Sequence, residues 1–285
     1  MLLSSSCSII TRDNIQLLRI DNAFAIAEIS LFGGQLLSFI PRQDQRERIW
    51  LSQAASLDGK QAIRGGVPVC WPWFGDHAIK RQQPNNNDFP AHGYVRTQQW
   101  QIINTVDNAS GSQVTLKPQS SLGAGFAGKA ELTLIVDVGK HCSLQLLTTN
   151  TGDESFTYRC ALHTYFAVNN VNDCAVSGLS GKYLDKTRGM QEFSTPQSYR
   201  FSEETDRVHL SQPALVKIEN GNEPIEVHST GHDSIVVWNP WQAKSIAMKD
   251  MQDEGYLSML CVETAITQGQ VVAVGETHVL QQIIV

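Results

Sequence analysis

The chain has 285 residues, which is enough for one large β domain or for two smaller domains. Hydrophobic residues make up 41% of the chain and charged residues 18%, a composition typical of a soluble globular protein. The net charge of −6 excludes a global positive field that would attract nucleic acid or an anionic membrane. An anionic small molecule would therefore have to be held by a local cluster of arginines.

The predicted elements, taken in chain order, are strands. Residues 131–138 show the pattern clearly, because every second residue is apolar and a Gly-Lys-His turn follows. Such two-residue periodicity, interrupted by Gly, Asn and Asp, is typical of strands joined by short turns. No long segment has helical spacing with a cap at its start. The predicted strands lie at 24–40, 100–106, 131–138, 143–149, 156–168, 235–238, 245–248, 256–262 and 271–285.

These strands predict an all-β fold, a large antiparallel β-sandwich formed by one domain over residues 1–285. The functional groups are expected on one concave face. The six cysteines lie far apart, mostly in apolar segments, which predicts buried free thiols and a reducing cytoplasm. The first residues lack the basic start of a secretion signal, and no apolar run approaches the roughly 20 residues of a membrane span.

The most informative segment is RGGVPVCWPWFG at 64–75, together with PAHGYVR at 90–96. Gly and Pro hold the backbone in turns that other residues resist. The guanidinium groups of Arg64 and Arg96 are planar forks suited to phosphate or carboxylate. With indole rings as apolar faces for a sugar, these segments predict a loop-built pocket for a polar, anionic small molecule. The tryptophans that could line this pocket or belong to the core are Trp71, Trp73, Trp238 and Trp241.

Two residues are candidates for proton transfer. His163 shares a strand face with Arg159 and Tyr165, as in the lining of a cleft, although a histidine among apolar residues is often structural. Glu263 ends an apolar run, where a carboxylate is costly to bury unless it is paired or used. If that strand enters a cleft, desolvation raises the pKa of Glu263 and makes it a better base near neutral pH. Together the two side chains would form an acid–base pair that needs no metal.

The remaining polar segments are weaker candidates. Asp206, in the polar segment 203–207, could accept hydrogen bonds from sugar hydroxyls or face solvent. His228 and His232 are the closely spaced histidine pair, and the turn between them gives little support for a metal site. The two glycines at 65–66 do not open a helix with Lys and Ser or Thr, so no nucleotide-binding loop is predicted. We therefore expect neither a metal nor a cofactor.

Five motifs together resemble the hexose-6-phosphate mutarotases, also called glucose-6-phosphate 1-epimerases, a branch of the aldose 1-epimerase superfamily. They occur in the same order as in that family and span about residues 31–265. The arginine-bearing first motif indicates the phosphosugar branch, because His-Thr-Tyr-Phe is shared with neutral-sugar mutarotases. The motifs occupy 64–75, 92–96, 162–166, 205–207 and 261–264.

The resemblance implies a β-sandwich of the galactose-mutarotase type that interconverts the α and β anomers of a hexose 6-phosphate, most naturally glucose 6-phosphate. It implies that His163 is the general acid and Glu263 the general base. Four further positions match residues that bind the substrate or, for the two arginines, the substrate or its phosphate: Arg64, His92, Arg96 and Asp206.

Three alternatives stay open from the sequence. A sugar-binding module would have the same pocket without turnover. A glycosidase would use Glu263 with Asp206 or Asp250, and its two carboxyl groups would lie either ~5 Å or ~6.5–9.5 Å apart. A mutarotase of neutral aldoses would leave Arg64 and Arg96 structural. The expected partner is a small phosphosugar, and nothing in the sequence demands more than a monomer.

Overall fold

Antiparallel sheets dominate the computed structural model, which describes residues 2–79, 89–221 and 223–285. Within these residues the strands form one sheet of four, one of eight and one of nine strands. The prediction of an all-β fold is confirmed. No helix in the described part of the chain has both the length and the apolar character needed to cross a membrane.

The four-stranded sheet is a meander in which each strand pairs with the next. The predicted strand at 24–40 is divided here, because Gly33 and Gly34 turn the backbone with φ of 85° and 59°. A Cβ atom at Gly34 would lie 2.5 Å from the ring of Trp100, so only glycine fits there. The strands are β1 (Cys7–Arg12), β2 (Ile15–Asp21), β3 (Ala25–Ser30) and β4 (Gln35–Pro41).

The nine-stranded sheet shows the predicted alternation. In β8 (Ala130–Val138) and β9 (Cys142–Asn150) buried residues alternate with partly or fully exposed ones along the whole strand. One face of such a sheet packs on the core while the other meets solvent. The other strands are β6 (Trp100–Asn108), β7 (Gly111–Pro118), β12 (Ala175–Ser177), β15 (Tyr199–Arg200), β17 (Leu215–Glu219), β18 (Ile225–Thr230) and β21 (Thr277–Ile284), in the sheet order β15-β12-β17-β18-β21-β9-β8-β7-β6.

The eight-stranded sheet brings together strands from distant parts of the chain. The strands are β5 (Val69–Cys70), β10 (Phe156–Leu162), β11 (Tyr165–Ala167), β13 (Lys182–Asp185), β14 (Gln191–Ser194), β16 (Thr205–His209), β19 (Ser234–Asn239) and β20 (Met259–Val272). The order is β14-β13-β16-β19-β20-β10-β5, and β11 also pairs with β20.

Strands β19 and β20 are buried on both faces over Ser234–Asn239 and the first eight residues of β20. Leu260 and Val262 point into the main core, which also contains Leu146 of β9 in the nine-stranded sheet. The alternate residues Cys261 and Ala265 belong to separate apolar clusters on the opposite face. Side chains alternate across a strand, so this opposite face carries a second set of buried groups.

Two further predicted strands differ from the structure. The predicted strand at 245–248 is wrong, because these residues lie in or next to the helix α1 (Trp241–Ala247). Just before the helix, Oδ1 of Asn239 accepts a hydrogen bond from the backbone N–H of Trp241 at 2.9 Å. A segment of four residues is too short to distinguish the period of a strand from that of a helix. The predicted strand 256–262 begins only at residue 259, after the 3-10 turn Gly255–Ser258. The other 3-10 turns among the described residues are Val95–Thr97, Val171–Asp173 and Lys186–Arg188.

The prediction of buried free thiols is confirmed. All six thiols are buried and none forms a disulfide. They occupy positions in or beside strands, where a small apolar side chain packs well. The thiols are Cys7, Cys70, Cys142, Cys160, Cys174 and Cys261.

Candidate active site

The two predicted proton-transfer residues lie on the face of the eight-stranded sheet that is turned away from the main core. Glu263 sits on β20 opposite Val236 of β19, and Cys261 precedes it on the same face. His163 directly follows β10, and its backbone N–H donates to the carbonyl oxygen of Pro68 at 3.1 Å. The pairing of β10 with β20 therefore joins two residues that are far apart in the chain.

His163 and Glu263 are in direct contact. Nδ1 of His163 lies 3.3 Å from Oε1 of Glu263, and the side chains are 13% and 1% exposed. Within the described part of the chain, Nδ1 of His163 and Oε2 of Glu263 have no hydrogen-bond partner. Buried polar atoms are normally paired, since an unpaired one costs about 1–3 kcal/mol. The unpaired atoms indicate that this pair faces the polar groups of a ligand.

Aromatic rings hold the imidazole of His163 in place. The ring of Tyr165 is stacked on it at a centroid distance of 4.9 Å with an interplanar angle of 8°. Trp238 meets it edge-on at 6.0 Å. Trp50 is in turn stacked on Tyr165 at 5.9 Å, which limits the movement of that phenol. A ring packed in this way can present its nitrogen atoms in one orientation.

Burial shifts the two titrations in opposite directions. Desolvation raises the pKa of Glu263 well above its ordinary value; the nearby Asp206 carboxylate raises it further and Lys186 lowers it. Desolvation lowers the pKa of His163 well below its ordinary value, and the charges of neighbouring groups, Arg64 among them, add to this effect. Without a ligand, both side chains therefore favour their neutral forms, with the proton of the pair on Glu263.

His92 joins the site through a tight turn. His92 and Gly93 both have positive φ, 66° and 74°, and a Cβ atom at Gly93 would lie 1.9 Å from the carbonyl oxygen of Trp71. The ring of His92 lies 5.5 Å from that of His163. Its Nδ1 accepts a hydrogen bond from the backbone N–H of Gly75 at 3.3 Å. Burial lowers the pKa of His92 to about 3, so the neutral ring carries its proton on Nε2 and can donate it to a ligand.

Arg64 is held by two partners at the edge of the site. Its Nε and Nη2 lie 3.1 Å and 3.0 Å from Oδ2 of Asp250, and its Nη1 donates to the hydroxyl of Tyr165 at 2.9 Å. The charge of Arg64 is therefore largely neutralised by Asp250. The sequence suggests Asp250 only as a carboxyl group of a glycosidase, whereas the structure places it as the ionic partner of this arginine.

Arg96 has a different environment. Its Nη2 donates to the carbonyl oxygen of Ala91 at 2.8 Å, and its buried Nε has no hydrogen-bond partner among the described residues. No carboxylate of those residues forms an ion pair with it. Its charge nevertheless acts on His92 and His163, because it lowers the pKa of both. Arg96 is thus a cation beside the site whose charge is not cancelled by a described acid.

Asp206 lies near Glu263, and its ionic partner Lys186 is a residue of the site that the sequence analysis did not identify. Nζ of Lys186 is 2.8 Å from Oδ2 of Asp206, whose side chain is 13% exposed. Lys186 begins the 3-10 turn after β13, and the pairing of β13 with β16 places this turn beside Asp206. Burial raises the pKa of Asp206 and Lys186 opposes that shift. No local motif marks Lys186, since only the strand pairing brings it to the site.

The tryptophans divide between the core and the site. Trp71 is fully buried in the main core, and its indole N–H donates to Oγ1 of Thr148 at 3.2 Å. Trp238 packs against His163 and lines the site. Trp73 donates to the carbonyl oxygen of Pro90 at 2.9 Å and so ties the two loop segments of the predicted pocket together. Trp241 packs on Tyr256 at the start of α1.

Metal-binding side chains come together at the pair itself. One ring nitrogen of His163, Sγ of Cys261 and one carboxylate oxygen of Glu263 all lie within 4.8 Å of one another. The closely spaced histidines His228 and His232 lie in a different arrangement. Nε2 of His228 lies 3.3 Å from Glu226, and His232 is buried with both ring nitrogens unpaired among the described residues.

Comparison with known proteins identifies the family of the chain. The sequence profile of the family described as aldose 1-epimerase matches residues 16–284. A protein of Escherichia coli (strain K12), provisionally named a glucose-6-phosphate 1-epimerase, is 35% identical over 258 residues, which cover 89% of this chain and 84% of the relative. A protein of Cenchrus ciliaris with the same provisional name is 34% identical and covers 84% of this chain and 74% of its own length.

Solved structures support the fold. The crystal structure of a protein from Salmonella typhimurium, provisionally titled a mutarotase, has a TM-score of 0.90 at 32% identity and covers 99% of this chain and 94% of its own. A galactose mutarotase-like protein from Clostridium acetobutylicum has a TM-score of 0.72 at 13% identity over 98% and 97% of the two chains, which shows the shared fold alone. The β-sandwich of the galactose-mutarotase type is therefore confirmed. The chain belongs to the aldose 1-epimerase family and is an isomerase of the epimerase type.

Proposed function

We propose that this enzyme interconverts the α and β anomers of a hexose 6-phosphate, glucose 6-phosphate in the first instance. The contact of His163 with Glu263 at 3.3 Å, on a desolvated face with unpaired polar atoms, is the observation that carries the proposal. The uncancelled charge of Arg96 beside this pair supports a phosphorylated sugar. The provisional names of the relatives from Escherichia coli and Cenchrus ciliaris agree with this substrate class.

In the proposed reaction Glu263 is the base and His163 the acid. Glu263 takes the proton of the C1 hydroxyl while His163 gives a proton to the ring oxygen, and the pyranose opens to the aldehyde. Rotation about the C1–C2 bond turns the other face of the carbonyl to the C5 hydroxyl, and the two proton transfers then run in reverse. General acid–base catalysis contributes about 10²- to 10⁴-fold for each group, and fixed positions add to it.

The number of protons that His163 and Glu263 hold together is consistent with these roles. The reactive form has a carboxylate on Glu263 and an imidazolium on His163, and it holds as many protons as the neutral pair that burial favours. One proton that moves from Oε1 of Glu263 to Nδ1 of His163, across the contact of 3.3 Å, converts one form into the other. We propose that substrate binding drives this shift, because hydroxyl groups of the sugar then solvate both charges.

The surrounding residues would orient the sugar. The Nε2 proton of His92 is available as a donor, and Asp206 offers a carboxylate to sugar hydroxyls. Arg64, whose charge Asp250 largely cancels, would donate to a neutral hydroxyl, while Arg96 would meet the phosphate. The two arginines, which the sequence treats alike, thereby receive different roles.

Replacing Arg96 with alanine should raise KM for glucose 6-phosphate at least tenfold and change kcat much less. The lost interaction is a charge-assisted contact with the phosphate, which is the same in the ground state and the transition state. Free glucose, assayed with the same variant, is the control because it has no phosphate. An equal loss for the phosphorylated and the free sugar would contradict phosphate recognition by Arg96.

Replacing Lys186 with methionine should move the basic limb of the kcat/KM profile to higher pH. Lys186 lowers the pKa of both Asp206 and Glu263, so its removal leaves burial and the repulsion between the two carboxylates unopposed. The pair reacts with one proton shared between Glu263 and His163, and Glu263 loses this proton as the pH rises, so a higher pKa of Glu263 keeps the pair active to a higher pH than in the wild type. Lys182→Met is the control, since Lys182 pairs with Glu192 on the exposed part of the same hairpin. An unshifted basic limb in the Lys186 variant would argue against this coupling.

Exchange between the anomers of glucose 6-phosphate, followed by NMR saturation transfer with and without the protein, tests the proposed function. We expect faster exchange for glucose 6-phosphate than for free glucose or galactose. Equal acceleration of the neutral sugars would replace the proposal by a general aldose mutarotase. Binding of the phosphosugar without faster exchange would leave a sugar-binding module.

We also propose a cytoplasmic location, a single domain and a monomeric state for this enzyme. Free, buried thiols are typical of proteins in a reducing cytoplasm, which we propose as the location of this enzyme. One apolar core contains residues from all three sheets, including Leu18, Leu134 and Val262, which supports a single domain over residues 1–285. The site is formed by one chain alone, so a monomer suffices for the reaction.

A further inference from the structure

The catalytic pair has a third neighbour that the proposed reaction does not use. Cys261 lies two residues before Glu263 on β20, so both side chains point to the same face. Its Sγ, one carboxylate oxygen of Glu263 and one ring nitrogen of His163 lie within 4.8 Å of one another. A thiol is not needed for the opening of a sugar ring. Thiolate, imidazole and carboxylate are, however, the three kinds of side chain that bind Zn²⁺ in proteins.

The spacing of the donor atoms fits one metal ion. In a tetrahedral zinc site with metal–ligand distances near 2.1 Å, a nitrogen and an oxygen ligand are about 3.4 Å apart. Nδ1 of His163 and Oε1 of Glu263 are 3.3 Å apart. Nδ1 is one of the two buried atoms of the pair that have no hydrogen-bond partner in the described residues. His163 and Glu263 therefore have the spacing of two metal ligands, and Nδ1 of His163 is free to bind the metal.

Burial and charge also suit a divalent cation. Glu263 is 1% exposed and Cys261 is fully buried, so two of the three ligand side chains are shielded from water. One thiolate, one carboxylate and a neutral imidazole cancel the charge of a divalent ion. A buried site tolerates such a neutral assembly far better than an isolated charge. The sulfur ligand favours Zn²⁺ over Mg²⁺ or Ca²⁺, which prefer oxygen ligands.

We propose that His163, Cys261 and Glu263 form a binding site for Zn²⁺ or a similar thiophilic divalent cation, and that the bound ion switches the enzyme off. The ion occupies the lone pairs with which Glu263 accepts a proton and His163 exchanges one. Its fourth coordination position is open for water, as in three-ligand zinc sites. The binding stands on the geometry of the three side chains, whereas the inhibition rests on the proposed function.

Co²⁺ provides a direct test of the site, because a thiolate ligand gives it a charge-transfer absorption that nitrogen and oxygen ligands do not. We expect this absorption with the wild-type protein and its displacement by Zn²⁺. Cys261→Ala should abolish it. Cys70→Ala is the matched control, since Cys70 is equally buried near the same face but lies outside the three-residue group, and it should retain the absorption. Absence of the band in the wild type, or its persistence in the Cys261 variant, would overturn the proposal.

Two further measurements keep the test independent of folding and of the proposed reaction. Glu263→Gln is nearly isosteric, and in this variant we expect Co²⁺ affinity to fall at least about 10- to 100-fold, the range seen when even outer-shell groups are lost. An unchanged affinity would show that Glu263 is not a ligand of the metal.

In anomer exchange, Zn²⁺ should inhibit the wild type and the Cys70→Ala variant, and EDTA should reverse the inhibition. The Cys261→Ala variant should need at least about tenfold more Zn²⁺ for the same inhibition. If the wild-type protein shows no anomer exchange even in the absence of metal, the proposed function is refuted. The cobalt spectra would still show whether the metal site exists.

Discussion

Glu263→Gln should reduce kcat for anomer exchange by about 10²- to 10⁴-fold, the usual contribution of a general base. Glutamine keeps the size of the side chain but cannot accept the proton of the C1 hydroxyl. The variant should fold normally and unfold at the same or a higher temperature, because it replaces a buried carboxyl group that has an unpaired oxygen. Circular dichroism and thermal unfolding measure the fold, and NMR saturation transfer measures the exchange.

Glu204→Gln is a matched control for this variant. Glu204 lies close to the site, but its carboxylate pairs with Lys244 at 2.6 Å and remains 37% exposed. We expect activity near that of the wild type. Full activity of the Glu263 variant would refute the role of Glu263 as the base. A Glu263→Gln, His163→Gln double variant should lose little more activity than the worse single variant, because both residues serve the same proton transfers.

Trp71→Ala should lower the free energy of unfolding by about 3–5 kcal/mol, the cost of removing a large buried aromatic side chain. Trp71 is 0% exposed, and the rings of Phe126 and Tyr94 meet it at 5.1 Å and 6.0 Å. Its removal also leaves Oγ1 of Thr148 without the indole donor. Equilibrium unfolding in urea measures the loss, and the change in unfolding midpoint reports it directly.

Trp241→Ala is the control for this experiment, because Trp241 is only partly buried at the edge of the fold. Its loss should cost clearly less than that of Trp71. The Trp71 variant should also bind the substrate less well, since the backbone of Trp71 forms a bridge with Gly93 in the turn that carries His92. Equal destabilisation by the two substitutions would show that the core does not depend on Trp71 in the way described.

Local patterns were sufficient for the fold class. Alternation in 131–138 and 143–149 predicted two strands that the structure places in β8 and β9, because solvent on one face and core on the other impose a period of two. The same reasoning failed at 245–248, which belongs to α1 or its end, since a segment of four residues is too short to distinguish the two periods. It also merged β3 with β4, because the turn at Gly33 and Gly34 depends on contact with the ring of Trp100, which is distant in sequence.

The sequence by itself determined which chemistry was available. It marked His163 and Glu263 as a possible acid and base and supplied arginines that suit an anionic ligand. Only the tertiary structure decided which groups meet: the pairing of β10 with β20 sets His163 beside Glu263, and that of β13 with β16 brings Lys186 to Asp206. The tertiary structure also buried Trp71 and distinguished Arg64, which Asp250 neutralises, from Arg96. The physical reason is that burial, pKa and charge cancellation depend on neighbours supplied by distant strands, whereas periodicity in the sequence reports only the two faces of a single strand.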